Sequence, residues 1–397
     1  MTCAGVQART VRLRAEAPPG GSAALDAALR YDALVVAVGA GVGYFGVPGA
    51  EAHALPLKEL RDARAVRQRL LRNIEAACLP GVDAAESARL ASVVVVGGGP
   101  TGCELAAELH DLMRDDLART YPPAVMSAAR ITLVEAGAEL LSAFDASLRA
   151  YALQRFRRAG VAVRAGVAGA RVGPRGVVLA DGSQLSAGLV VWTAGLAPRP
   201  LLAALDAARF RKDRWGHLVT SDRLRAAASS SGPEGDFSHA VPGVWALGDC
   251  AAVAGGRYAA TAQVAEQQGA WLAAAFNDAA ADAGAFDSTP PPCAALSAAL
   301  EAHVPRYAFA YRHRGSLAML GSLAGAADFT AVARTGGARG VADVALGPLR
   351  GATLRGAAAW LLWRSAYLTK LGRWRNRMQV PADWVRAAVF GRDTTLM

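Results

Sequence analysis

The sequence predicts an α/β protein with more than one domain, on three observations. Segments with helical periodicity alternate with short β-branched runs, and glycine-rich turns separate them. A four-valine run, Val93–Val96, enters Gly97-Gly98-Gly99-Pro100-Thr101-Gly102 and then a helical repeat. The chain has 397 residues, 53% of them apolar, which exceeds what one ordinary core holds.

Near the N-terminus, "MTCAGVQARTVRLRAE" contains arginines but also Glu16. The alternation Val11-Arg12-Leu13-Arg14 reads as a strand rather than a cleaved leader. Next comes "YDALVVAVGA" (31–40), expected as a buried strand ending in a small-residue turn.

The turn at 93–104 carries the strongest local signal. Gly97 permits the tight bend, Gly99 lets the backbone approach a pyrophosphate, and Gly102 lets helix and strand pack closely. Leu105, Ala106, Leu109, Leu112 and Met113 then repeat at helical spacing. Phosphates would sit at that helix N-terminus, where free N–H groups and the helix dipole favour anions. A second strand, Ile131–Val134, ends in Glu135, whose carboxylate suits ribose hydroxyls. A carboxylate repels a 2′-phosphate, so NADH is favoured over NADPH. The gap between the two is longer than the usual ~20 residues, with the polar, proline-containing segment 114–129 as the excess.

Beyond it, Ala150–Gly160 suits a helix, and Val161–Arg164, Val177–Leu179 and Leu189–Trp192 suit strands. "WTAGLAPRP" (192–200) ends a strand in Thr193-Ala194-Gly195, where the backbone can lie against a flat ligand. The Ser/Gly-rich stretch 226–240 reads as a surface loop, and it lacks the acidic spacing of a calcium loop. "VPGVWALGDCAAV" (241–253) is a strand ending in Gly248-Asp249. Asp249 is placed either for a ribityl or pyrophosphate group or as a helix N-cap. Gln263 and Gln267 are four apart and share a helix face, as ligand donors or as a solvated polar face.

The five cysteines, Cys3, Cys78, Cys103, Cys250 and Cys293, form no CxxC pair, so a zinc site, a disulfide framework and a redox disulfide are not expected. Cys103 and Cys250 read as small buried thiols. No stretch reaches the ~18 uncharged apolar residues of a spanning helix, so ion translocation by this chain is not expected.

The net charge is +10, and seven of those charges fall in the last 48 residues. Nine basic residues there face only Asp383 and Asp393, and four of the eight tryptophans are there too. Placed on one helix, Trp360, Trp363, Tyr367, Leu371, Trp374 and Met378 form a single apolar stripe beside Lys370, Arg373 and Arg377. Arg364 would have to snorkel from that stripe. The pattern describes a helix lying in a bilayer interface, or one packed on its own core. Nucleic acid is not expected, since nothing resembles a base-reading module.

These stretches, with "GVPGAEAHALPLKELRDARAVRQRL", "ITLVEAG", "TAQVAEQQG", "GSLAMLGSLAGAADF" and "AAWLLWRSAYLTKLGRWRNRMQVPADWVRAAVFGRD", resemble type II NADH dehydrogenases in their eukaryotic form. These are the rotenone-insensitive, non-pumping NADH:quinone oxidoreductases. The resemblance covers nearly all of residues 31–395. It implies a two-dinucleotide-binding-domain flavoprotein, with tandem Rossmann-like FAD and NADH domains and an amphipathic, helical, membrane-binding C-terminal tail. The family pattern opens with an FAD-binding GxGxxG unit. No such motif precedes residue 93, and the chain is expected to start about a hundred residues into that pattern.

The resemblance assigns Gly97, Gly99, Gly102, Glu104, Glu135 and Gly195 to NADH, with Glu104 facing the nicotinamide end. For Glu104, a first-turn acid that complements the helix dipole is the alternative. It assigns Gly39, Gly248, Asp249, Ala262 and Gln263 to FAD. Gln263, Gln267 and Tyr367 would stand on the flavin and quinone side. The implied domains are 1–80, a remnant of the FAD domain; 81–212, the NADH domain; 213–335, the second part of the FAD domain; and 336–397, the membrane-associating region. The expected partners are a membrane quinone (ubiquinone or plastoquinone), an anionic membrane surface met by residues 350–397, and a second copy in a homodimer. The expected location is peripheral on the mitochondrial inner membrane, or else the plastid thylakoid. Two rivals stay open: an inactive chain deficient in FAD, and a related FAD/NAD(P)H oxidoreductase with a soluble acceptor.

Overall fold

The computed structural model describes residues 9–15, 25–231, 240–255, 258–282, 299–300, 308–332 and 349–394. Most of the loop expected at 226–240 and both Cys3 and Cys293 lie outside these residues. The chain divides into two compact units, one holding Val42–Leu196 and His313–Met397, the other Met1–Gly41 and Ala197–Arg312.

The first unit is built on a five-stranded parallel sheet. Its elements are β1 (Leu55–Pro56), α1 (Leu60–Ala77), α2 (Ala84–Ala91), β2 (Val93–Val96), α3 (Pro100–Asp111), β3 (Ile131–Glu135), α4 (Ala146–Ala159) and β4 (Ala162–Ala165). A small antiparallel sheet of β5 (Gly169–Gly173), β6 (Gly176–Leu179) and β7 (Gln184–Ser186) follows, and then β8 (Leu189–Trp192). The parallel order is β1-β8-β2-β3-β4. All four residues of β2 and of β8 are buried, as central parallel strands require. Alternate residues serve opposite faces. Val93, Val95 and Leu133 meet Leu70, Ile74, Ala106, Leu109 and Phe156 from α1, α3 and α4. Val94, Val96, Val134 and Trp192 meet Val172, Val177 and Leu179 of the small sheet.

Local chemistry sets the helix ends. In a capping box on α1, the Asp62 carboxylate accepts the Glu59 N–H at 2.8 Å. Asp145 caps α4 by accepting the Ser147 N–H at 2.9 Å, and Gly160 ends that helix at φ 75°. Segment 114–129 is mostly helical: α3 runs into a π-helical turn, Leu112–Leu117, followed by short helices at Ala118–Thr120 and Pro123–Ala128.

The unit closes with an antiparallel sheet of β9 (Ser316–Met319), β10 (Gly325–Asp328) and β11 (Thr353–Gly356). The tail helices are α5 (Ala357–Lys370) and α6 (Trp374–Phe390). The single helical stripe expected from Trp360 to Met378 is corrected here. The helix stops at Lys370, with Leu371 extended at ψ 114°. Gly372 weakens the helix at that point. The Arg377 guanidinium turns back to donate to Leu371 O at 2.7 Å and Thr369 O at 2.9 Å, satisfying carbonyls that a continuing helix would have used. No helix among the described residues is long and apolar enough to cross a membrane.

The second unit has a sheet of strands Ala251–Val253, Leu218–Thr220, Arg225–Ala227, Ala240–Ala246 and Leu34–Val36, in that order, and a long helix, Ala262–Asp282. A hairpin of Thr10–Ala15 and Leu25–Arg30 precedes it, so 11–14 is a strand, as its alternation predicts. The strand at 31–40 was expected to be buried, but it is an edge strand. Leu34–Val36 pairs on one side with Ala240–Ala246, and Val35 is 38% exposed.

Candidate functional site

The turn after β2 is held by backbone geometry that only glycine meets. Gly97 has φ 116°, and a Cβ there would lie 2.8 Å from Ala194 N. A Cβ on Gly102 would lie 1.8 Å from Gly97 O, so α3 could not approach β2 with any other residue. At Gly99, by contrast, nothing lies within 4 Å of the Cβ position. The turn is closed against the protein at Gly97 and Gly102 and open at Gly99, where a ligand's phosphates would meet the start of α3.

Glu135 ends β3 beside this turn. Its carboxylate accepts the Gly98 N–H and the Gly137 N–H, each at 2.6 Å. These bonds hold an acceptor-only group at the rim, suited to a ribose diol and hostile to a phosphate. Across the turn, the Thr193 hydroxyl lies 2.9 Å from Val96 O and 3.1 Å from Gly97 O. Gly195 (φ 74°) follows, with the Phe45 ring at the position its Cβ would occupy. The turn, Glu135 and Thr193–Gly195 are thus brought together in one unit.

Glu104 lies one turn into α3 and turns away from that rim. Its Oε1 accepts the Met319 N–H at 3.0 Å and the Trp363 indole N–H at 3.1 Å. Burial raises its pKa to about 7, against the lowering effect of those two donors. Its carboxylate therefore joins α3 to β9 and α5, a role that neither sequence reading anticipated. Cys103 is fully buried, with Sγ 3.4 Å from Gly98 O, and burial raises its thiol pKa.

In the other unit, Gly39 (φ 67°) and Gly248 (φ 73°) end the parallel strands near Val36 and Ala246. Nothing lies within 4 Å of the Gly39 Cβ position. Asp249 sits in the single 3-10 turn Gly248–Cys250, not at the N-cap of a helix. Ala262 opens the long helix, and Gln263 Oε1 accepts the Tyr311 hydroxyl at 3.3 Å. Gln267 closes on the backbone of Arg312: Nε2 donates to its carbonyl at 2.9 Å and Oε1 accepts its N–H at 3.0 Å. The buried neighbour, Gln268, accepts the Gly248 N–H at 2.7 Å and so positions the turn that carries Asp249. Sequence reading missed Gln268, although its adjacency to Gln267 and its place on the inner helix face were visible. Cys250 is buried, its Sγ 3.3 Å from Val36 O.

In the tail, Tyr367 lies against Trp363 with ring centroids 4.4 Å apart and stays half exposed. After α6 the chain returns to α1, α3 and the π-helical turn of the first unit. Arg392 donates through Nη1 to Asp116 Oδ2 at 2.9 Å and through Nη2 to Glu108 Oε2 at 3.3 Å. Arg67 donates to Asp393 O at 2.7 Å.

A parallel sheet with a GxGxxG turn, an acid ending the next strand, and a second glycine-acid turn on separate parallel strands define a dinucleotide-binding oxidoreductase fold. The pyridine nucleotide-disulphide oxidoreductase family matches residues 7–269. The NDH2 C-terminal domain matches residues 331–393. A probable NADH dehydrogenase of Dictyostelium discoideum is 35% identical over 92% of this chain and 69% of its own length. An internal alternative NAD(P)H-ubiquinone oxidoreductase A1 of Arabidopsis thaliana is 33% identical over 92% of this chain and 64% of its own. The chain thus spans about two thirds of the length of these relatives. A structure of Plasmodium falciparum NDH2 in complex with NADH shares the fold at a TM-score of 0.78 and 19% identity, over 99% of this chain and 84% of that one. The chain belongs to the type II NADH dehydrogenase family.

Proposed function

We propose that this chain is an FAD-dependent oxidoreductase that passes electrons from NADH to a membrane quinone without pumping protons. The observation that carries this reading is the pairing of the open Gly99 turn with the Glu135 carboxylate fixed on Gly98. That pairing fits the pyrophosphate and ribose of NADH together. When bound, FAD supplies the hydride acceptor and the two-electron donor to the quinone.

The residues of the chain position these groups. Gly97, Gly99 and Gly102 admit the NADH phosphates, Glu135 selects the unphosphorylated ribose, and Gly195 gives the nicotinamide half a flat backbone. Glu104 holds α3 against β9 and α5 beneath it. Gly39, Gly248, Asp249 and Ala262 hold the flavin side, and their fit is supported by the left-handed, unobstructed Gly39 and by the turn that Gln268 fixes. Gln263 and Gln267 hold Tyr311 and the Arg312 backbone, and Tyr367 meets the quinone from the tail.

The tail supports a peripheral membrane placement on the mitochondrial inner membrane, in line with relatives described as mitochondrial. The α6 residues Trp374, Met378, Val385 and Val389 are all exposed and follow at i, i+4, i+11 and i+15, one face of the helix. A homodimer belongs to the same reading and is tested by light scattering of the purified chain. The test of the enzyme reading is to purify the chain with FAD supplied and follow NADH at 340 nm on adding a short-chain quinone. Flavin retention and quinone-dependent oxidation are expected, and a colourless chain that leaves NADH unchanged overturns the proposal.

A further inference from the structure

We propose that Arg364, in contact with the rings of Trp360 and Trp384, is a seat for the phosphate of an anionic phospholipid headgroup. Its guanidinium carbon lies 4.0 Å from the centre of the Trp360 ring and 4.3 Å from the centre of the Trp384 ring. The guanidinium is therefore in cation–π contact with two indoles, one from α5 and one from α6. Its edge is where the N–H donors lie, and among the described residues no carboxylate or carbonyl takes them. A guanidinium held by ring contacts, with its N–H donors unbonded, presents a fork that matches a phosphate's paired oxygens.

The surroundings suit a lipid. Arg364 lines a cavity of about 610 Å³ whose apolar wall includes Trp360, Trp363, Trp384, Leu323 and Val389. Val389 belongs both to the cavity lining and to the exposed α6 stripe, so the cavity adjoins at that residue the surface proposed to lie at the bilayer interface. Tryptophan is suited to that depth, with one apolar body and one polar edge.

The carboxylates in the cavity are already answered. Asp116 and Glu108 bond Arg392, Glu108 also attracts Arg364 through space without a hydrogen bond, and Asp115 accepts from Arg114 at 2.7 Å. Arg119 also lines the cavity, near Asp115. The three arginines and three carboxylates of the lining balance, so an anion would be drawn by Arg364 and Arg119, which make no ion pair among the described residues, rather than by a net charge of the cavity.

This inference rests on the membrane reading above, and its test separates the two. The full chain is titrated with vesicles of neutral phosphatidylcholine, and with vesicles containing phosphatidylglycerol, without NADH or quinone, at low and at 0.3 M salt. The wild type is expected to prefer the anionic vesicles at both salts. Failure to bind either vesicle overturns the membrane reading and the site together. Arg364→Gln is expected to lower anionic-vesicle partitioning about tenfold at 0.3 M salt, while Arg375→Gln, an exposed tail arginine of equal charge, lowers it less than threefold there, since diffuse attraction is screened. Arg364→Lys, which keeps the charge but not the fork, is expected to behave like the Gln variant, and all variants are checked for native circular dichroism. Equal losses for Arg364→Gln and Arg375→Gln overturn the site. In the second arm, tryptophan emission is read with soluble dihexanoyl-phosphatidylglycerol and with inorganic phosphate at the same concentration. A change with the lipid only supports the headgroup, and an equal change with phosphate alone overturns it.

Discussion

Trp363 of α5 donates its indole N–H to the Glu104 carboxylate of α3 across 259 positions of sequence, at 3.1 Å. The bond makes the first turn after the nucleotide loop structurally continuous with the tail that carries the family's C-terminal signature. Met319 of β9 shares the same oxygen at 3.0 Å, so one buried carboxylate joins three elements. Nucleotide turn and tail are then expected to respond to the same changes.

Glu104 has its pKa raised to about 7 by burial, so the folded state holds that proton more tightly than the unfolded chain. The sign follows: this group's contribution to stability is complete below about pH 4.5 and falls as pH rises toward 7. Glu104→Gln removes the titration while keeping an acceptor oxygen for Met319 and Trp363. Urea denaturation at pH 5 and pH 8 is expected to show the variant losing less stability than wild type between the two, by roughly 2–3 kcal/mol. Parallel pH dependence in the two proteins refutes this account of Glu104.

Glu135→Gln replaces the charge that repels a 2′-phosphate and leaves one oxygen for Gly98 or Gly137. The ratio of NADPH to NADH use is expected to rise about tenfold, equivalent to ~1.4 kcal/mol. Binding titrations with both nucleotides check it, and an unchanged ratio removes Glu135 from cofactor selection.

At Gly102 a methyl group would sit 1.8 Å from Gly97 O. Gly102→Ala should therefore displace α3 from β2, destabilise the protein by about 2–3 kcal/mol and weaken NADH at least tenfold. Thermal unfolding and NADH fluorescence titration give both numbers. Gly99→Ala meets nothing within 4 Å in the protein, and should keep the stability while losing affinity.

Arg392→Ala would leave Asp116, 8% exposed in its side chain, without its cation. The cost is expected at about 2–3 kcal/mol, since a buried carboxylate loses its charge partner while the Arg392 N–H bond to Asp116 remains. Hydrogen exchange in α6 should rise along with it. A protein whose tail exchanges at the wild-type rate would show that the return segment is not what holds α6 down.

Much of the nucleotide half was legible because its signals are local. Val93–Val96, the three glycines and Leu189–Trp192 fall where periodicity and turn chemistry place them, because a central parallel strand must be apolar on both faces. The tail was less legible. Its apolar residues keep a helical period through Gly372, yet the helix ends at Lys370 because Arg377 offers the last carbonyls a better partner. Periodicity records which residues face inward, and it does not register a competing hydrogen bond from beyond the break.

By itself, the sequence determined the α/β class, the Gly97–Gly102 turn, the acid at the end of the next strand and the basic, aromatic character of the tail. Each follows from short-range sterics, charge or spacing. Only the tertiary structure decided that Glu104 faces Met319 and Trp363, that Gln267 closes on Arg312 while Gln268 holds the Gly248 turn, and that Arg364 meets the indoles of Trp360 and Trp384. The physical reason is common to all three. A polar side chain takes the partner that burial brings within hydrogen-bond or ring-contact distance, and residues far apart in sequence supply that partner only once the chain has folded.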